Sequence, residues 1–145
     1  MIPRGALVLG LAGLLPFLWA ALGILVPAVS DFTVSLLGPR FNAPYMLVSY
    51  GTVILCFMSG VLWGFATKTN EVKAFALSVM PALWAFFMIG DGPVTASLNL
   101  SIGFAGLLIL DWQFQKWGLA PPWWMKLRVL LTVLVLLSLA PVAFG

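Results

Sequence analysis

Few side chains in this sequence could do chemistry. Asp91 and Asp111 are the carboxylates that border long apolar runs, and a lysine beside either could form an acid–base pair. No nucleophile–base pair is visible, however. Histidine is absent and Cys56 is the one cysteine. That removes the commonest metal ligand and the commonest neutral-pH acid–base group, and it leaves no internal disulfide. The sequence therefore points to no catalytic residue, no cofactor and no metal. Asp91, in Gly90-Asp91-Gly92-Pro93, reads as a turn or cap residue. Asp111 closes an apolar helix, where a negative charge opposes the helix dipole and needs a cation. Arg128 and Lys126 are the candidates, and Asp111 with Arg128 is the expected ion pair; the alternative is a headgroup or partner site. Tyr50, Trp63, Trp84 and Asn99 lie within or near the ends of apolar runs. They are the candidate contacts for a lipid or quinone in a hydrophobic cavity. Plain bundle packing at the membrane interface, with an interhelical hydrogen bond from Asn99, is the ordinary reading of the same residues. No charge falls in the middle of an apolar run, which argues against a proton pump or ion relay.

The elements that would hold these residues are dictated by solvent. Hydrophobic residues make up 63% of the 145 and charged residues 8%, with a mean hydropathy of +1.13. A soluble domain carries about 25% charged residues, so most of this chain must be bathed in hydrocarbon. We expect an all-α membrane protein, a bundle of five transmembrane helices forming one domain over 1–145. The spans fall at approximately 5–29, 46–67, 74–90, 94–110 and 127–144. The first is too long for a cleaved signal, and Pro16 should kink it. Residues 30–44 read as an ordered loop with a turn or two of surface helix, carrying Asp31 and Arg40. Residues 111–126 hold Trp112, Trp117, Trp123 and Trp124 and form a Trp-rich interfacial segment between the fourth and fifth helices.

Thr52, Cys56, Gly60 and Gly64 recur every four residues in YGTVILCFMSGVLWG and share one helical face. Small residues so spaced let helices approach closely in lipid. This helix is the expected hub, with Ser97 and Ser101 of the fourth span as its partner stripe, and Gly60→Leu should overpack the bundle.

Arg4, Lys68, Lys73, Lys116, Lys126 and Arg128 fall on one side of such a bundle and Arg40 on the other. The positive-inside rule then puts the N-terminus in the cytoplasm and the C-terminus outside. The basic balance reflects topology and lipid headgroups, and nucleic acid is not an expected partner. Membrane lipids and other membrane-protein subunits are. The functional reading is a non-enzymatic accessory, assembly or scaffold component of a membrane complex. The alternatives are a lipid- or quinone-binding protein or small-molecule transporter, and a membrane enzyme using Asp91 or Asp111 with a lysine.

Four stretches carry a family resemblance: GLAGLLPF (10–17), YGTVILCFMSGVLWG (50–64), SVMPALW (78–84) and LDWQFQKWGLAPPWWMKLRVLLT (110–132). Together they resemble the transmembrane protein sixty-nine-like family of uncharacterised small bacterial and mitochondrial membrane proteins. Its hub resembles YGAVILSFLGGIHWG, so Leu62 stands where a His often occurs. The resemblance implies five helices and a multi-pass setting in the bacterial inner membrane. It implies no reaction, and it favours Asp111 and Arg128 working as a pair.

Overall fold

The computed structural model describes residues 1–144, and the described residues are helical without strands. In order they form α1 (Arg4–Ala12), α2 (Leu15–Leu25), α3 (Pro27–Leu37), a 3-10 turn (Pro39–Phe41), α4 (Ala43–Ala66), α5 (Val72–Ser78), α6 (Met80–Met88), α7 (Pro93–Lys116) and α8 (Trp124–Ala143). Four segments are long and apolar enough to cross a membrane: Arg4–Leu25, Ala43–Ala66, Pro93–Lys116 and Trp124–Ala143. Val72–Met88 is apolar but shorter. Large apolar side chains such as Val53, Phe57, Phe86, Phe87, Ile109 and Leu137 point outward. In water that surface would cost about 25 cal/mol per Å²; against acyl chains it costs nothing comparable.

Two prolines break two of these segments in the same way. Pro16 and Pro81 have no N–H, so the carbonyls of Ala12 and Leu77 lose their helical partners. α1 gives way to α2 just ahead of Pro16, and α5 to α6 just ahead of Pro81; both prolines occupy the first turn of the resumed helix. The next carbonyl along, three residues before each proline, takes a hydrogen bond from α4. The Tyr50 hydroxyl donates to Gly13 O at 2.7 Å, and the Ser59 hydroxyl donates to Ser78 O. Backbone groups freed in lipid must find such partners.

α4 is the centre of the packing, touching α2, α5, α6 and α7, while α8 lies across α7, α2 and α1. The core runs through Leu47, Leu55 and Leu62 of α4, Phe17 of α2, and Leu100, Phe104 and Leu107 of α7, all at most 1% exposed.

Several expected boundaries move. The first span ends at Leu25 rather than at 29. Pro27 opens α3, a full helix where a loop with a turn or two was expected. α3 folds back on α2, with Trp19 Nε1 donating to Thr33 Oγ1 at 2.8 Å. Ser30 accepts the Ala43 N–H at 3.0 Å and so satisfies one orphan donor of α4. Gly38, at φ +107°, ends α3. α7 continues past Leu110 to Lys116, and α8 begins at Trp124, so the expected connection over 111–126 contracts to 117–123. Asp111 and Trp112 are thus helical.

Candidate functional site

Asp111 sits on the last turns of α7, completely buried. Trp124 and Arg128, four apart on α8, share the face turned toward it. Arg128 Nε donates to Asp111 Oδ2 at 2.8 Å, and Trp124 Nε1 donates to Asp111 Oδ1 at 3.0 Å. Both carboxylate oxygens are therefore engaged, one by a cation and one by an indole. Trp124 is held in turn by Phe65 of α4, whose ring stands edge-on at 5.1 Å. Arg128 is 5% exposed, so α7 and α8 are clamped by a desolvated pair. Burying such a pair brings little net stability, but leaving one partner alone costs about 3–5 kcal/mol. One turn further on, Thr132 is also buried, and neither its hydroxyl nor Arg128 Nη2 has a hydrogen-bond partner among the described residues.

The turn between α7 and α8 is tied to the same end of the bundle. Gly118 adopts φ +76°, and the Leu119 N–H returns to Phe114 O at 3.0 Å. Lys68 Nζ reaches Leu119 O at 2.9 Å, and Gln115 Oε1 accepts the Met125 N–H at 2.9 Å at the start of α8. Lys73 and Lys116 lie 5.0 Å from the ring centres of Trp117 and Trp112, within cation–π range. Gly10, near the C-terminal end of α1, packs against Leu127 and Leu131 in the first turns of α8, and α1 runs back from there to Arg4, which places Arg4 at this end too. Arg40 lies at the other end, beside the start of α4 and Pro93. The ion pairs among the described residues are Asp111–Arg128 and Glu71–Lys73, so Asp31 and Arg40 are not joined. Asp91 lies in an exposed turn where Gly92, at φ +100°, caps α7 without a side-chain hydrogen bond.

The small stripe of α4 points the other way from its expected direction. Cys56, Gly60 and Gly64 are exposed, and Thr52 is half-buried with its hydroxyl turned to Val48 O at 2.8 Å. A Cβ built on Gly60 or Gly64 meets nothing within 4 Å. Gly60→Leu would not overpack this chain. The buried face of α4 is instead Leu47, Gly51, Leu55, Ser59, Leu62 and Ala66. Its close approaches are made at Gly51, where a Cβ would come within 2.9 Å of Leu100, and opposite Gly103 of α7, where one would come within 2.8 Å of Trp84 and 3.0 Å of Leu55. Leucine fills the grooves that these two glycines leave, which is why a run of four small residues was not needed. Ser97 is buried, while Ser101 is half-buried and donates to Ser97 O at 2.9 Å. The signal for Gly51 was present in the sequence as a lone glycine between leucines four residues to either side.

The four candidate ligand contacts do not converge. Trp63 is 48% exposed and packs on Phe75. Trp84 Nε1 donates to Asn99 O at 2.7 Å, and Asn99 Nδ2 donates to Met88 O at 2.8 Å. These two side chains knit α6 to α7 at the level of Gly103. Of the four, Tyr50 lines an apolar furrow of about 1010 Å³ at the Arg40 end.

Apolar rods, proline breaks whose neighbouring carbonyls are bonded from α4, and a desolvated ion pair together define a transmembrane helical bundle. The chain belongs to the family described as "Protein of unknown function (DUF3429)", whose model matches residues 2–144. It is similar to Transmembrane protein 69 of Xenopus tropicalis, with 32% identity over 149 aligned positions that cover 94% of this chain. It spans 53% of that relative's length. No solved structure matches it.

Proposed function

We propose that this chain is a non-enzymatic accessory, assembly or scaffold component of a membrane complex, docking another membrane helix on the outward face of α4. The observation that carries this reading is the exposed row Cys56, Gly60 and Gly64, where neighbouring backbone could approach without obstruction. The reading includes five spans in one unit over 1–145. Val72–Met88 runs from the Lys73 end to the Asn99–Met88 contact, about 26 Å at 1.5 Å per residue. That approaches the ~30 Å hydrocarbon thickness, and slight thinning of the bilayer closes the difference. Arg4, Lys68, Lys73, Lys116 and Lys126 gather at one end, which supports a cytoplasmic N-terminus and an external C-terminus; the bacterial inner membrane is the setting this reading assigns. Arg128 is buried in its ion pair and drops out of that argument. The tryptophans of the α7–α8 turn fit headgroup depth on the cytoplasmic side.

The test is capture from native membranes in gentle detergent, followed by mass spectrometry. A stoichiometric membrane-protein partner is expected, released by Gly60→Leu while the isolated chain keeps its thermal stability. Recovery of the chain alone at native expression would reject the reading. Fusion reporters at both termini should report opposite compartments.

A second reading, binding of a hydrophobic ligand, is favoured by the furrow beside Tyr50 rather than by Trp63, Trp84 and Asn99.

A further inference from the structure

The Arg40 end of the bundle is forked. The furrow of about 1010 Å³ runs from the 3-10 turn at Pro39–Phe41 down α4 to Tyr50 and Val53, with Pro16 on its wall. A second furrow of about 590 Å³ lies on the α6–α7 side of α4 and reaches Thr52 and Ala96. Pro44, Tyr45, Ser49 and Pro93 line both, so the two join near the first turns of α4 and α7. Arg40 is exposed at the mouth of the larger one, and no carboxylate pairs with it among the described residues. Resting on the hydrophobic-ligand reading, we propose that this fork seats one anionic glycerophospholipid. Its phosphate lies on Arg40 and its two acyl chains lie in the two furrows.

Three features select that occupant. The first is charge: a guanidinium binds phosphate with paired donors, and this one sits where a span ends and headgroups begin. The second is depth. From Asn42 to Val53, α4 descends about 16 Å, close to half of the ~30 Å hydrocarbon core, which is the reach of one leaflet's acyl chain. The third is the fork itself. A quinone has one tail and no fixed negative charge, so it would leave one furrow and the cation unused. The wall is built in advance: the chain breaks ahead of Pro16, and the Tyr50 hydroxyl is already committed to Gly13 O. The phenol therefore serves as a rigid floor.

The experiment is native mass spectrometry of the delipidated full chain in detergent. It is titrated with equal amounts of dioleoylphosphatidylglycerol and dioleoylphosphatidylcholine, and separately with ubiquinone-2. One phosphatidylglycerol should be retained with about fivefold preference over phosphatidylcholine, the effect of one basic residue on an anionic lipid. Arg40→Gln should bring that preference close to one. Lys126→Gln, at the opposite end, should leave it intact. Ser49→Phe, filling the junction of the furrows, should lower retention of both lipids, with circular dichroism showing an unchanged helix content. Equal retention of the two lipids by the unaltered chain, or a preference that survives Arg40→Gln, overturns the phospholipid assignment and leaves the hydrophobic-ligand reading standing. Quinone retained in place of either lipid does the same. Retention of none of the three overturns both.

Discussion

α4 has two faces built from similar materials and used in opposite ways. One carries Gly51 and Ser59 among Leu47, Leu55, Leu62 and Ala66 and is buried throughout. The other carries Cys56, Gly60 and Gly64 and is open. By spacing alone the second face has the better small-residue repeat. The difference lies in what stands opposite. Gly51 receives Leu100, and across the contact Gly103 receives Leu55 and Trp84. A glycine promotes close packing when a bulky neighbour enters the gap; a row of small residues with nothing inserted is a surface.

Substitutions can test that contrast on a common scale of thermal unfolding in detergent. The top of the scale is set outside α4: Asp111→Ala strands the buried Arg128 and should cost about 3–5 kcal/mol. The double change Asp111→Leu with Arg128→Met should recover most of it, because both desolvated charges are then gone. If the single and double variants are equally unstable, the stranded Arg128 charge is not the source of the loss. Next comes Gly51→Leu. Its side chain would collide with Leu100 and Phe17, and overpacking of this kind costs about 1–3 kcal/mol; wild-type stability would mean that α4 does not approach α7 as closely as described. Ser59→Ala removes the hydroxyl that bonds Ser78 O and accepts the Ala82 N–H. A loss of about 1 kcal/mol is expected, in line with interhelical hydrogen bonds in membranes. Tyr50→Phe at the other proline break should match it, and a large disagreement between the two would end the parallel between the breaks. The smallest effect is Gly60→Leu, within about 0.5 kcal/mol for the isolated chain. A strong destabilisation there would restore the outward face to the interior.

How much of this could be read from residues alone varies with the kind of interaction. The hydrocarbon environment was legible because eight charged residues in a hundred cannot face water. The pairing of Asp111 with Arg128 was legible as chemistry, since a carboxylate at a helix C-terminus must find a cation. Trp124 as the second donor was not, because an indole in a Trp-rich segment has an equally good use at the headgroups. The helix over Pro27–Leu37 was hidden by Gly38 and by two prolines that read as loop. The convergence of Tyr50, Trp63, Trp84 and Asn99 failed for a simpler reason: helical position fixes direction only relative to the helix's own axis.

Composition and period therefore determined the apolar rods, the proline breaks within them and the gathering of lysines toward one end, because these follow from local backbone chemistry and from the solvent each segment can tolerate. Only the tertiary structure decided which way α4 is turned, which glycines are filled, and that the Arg40 end divides into two furrows. Those outcomes depend on the shapes of side chains contributed by other helices, and no segment carries that information about its neighbours.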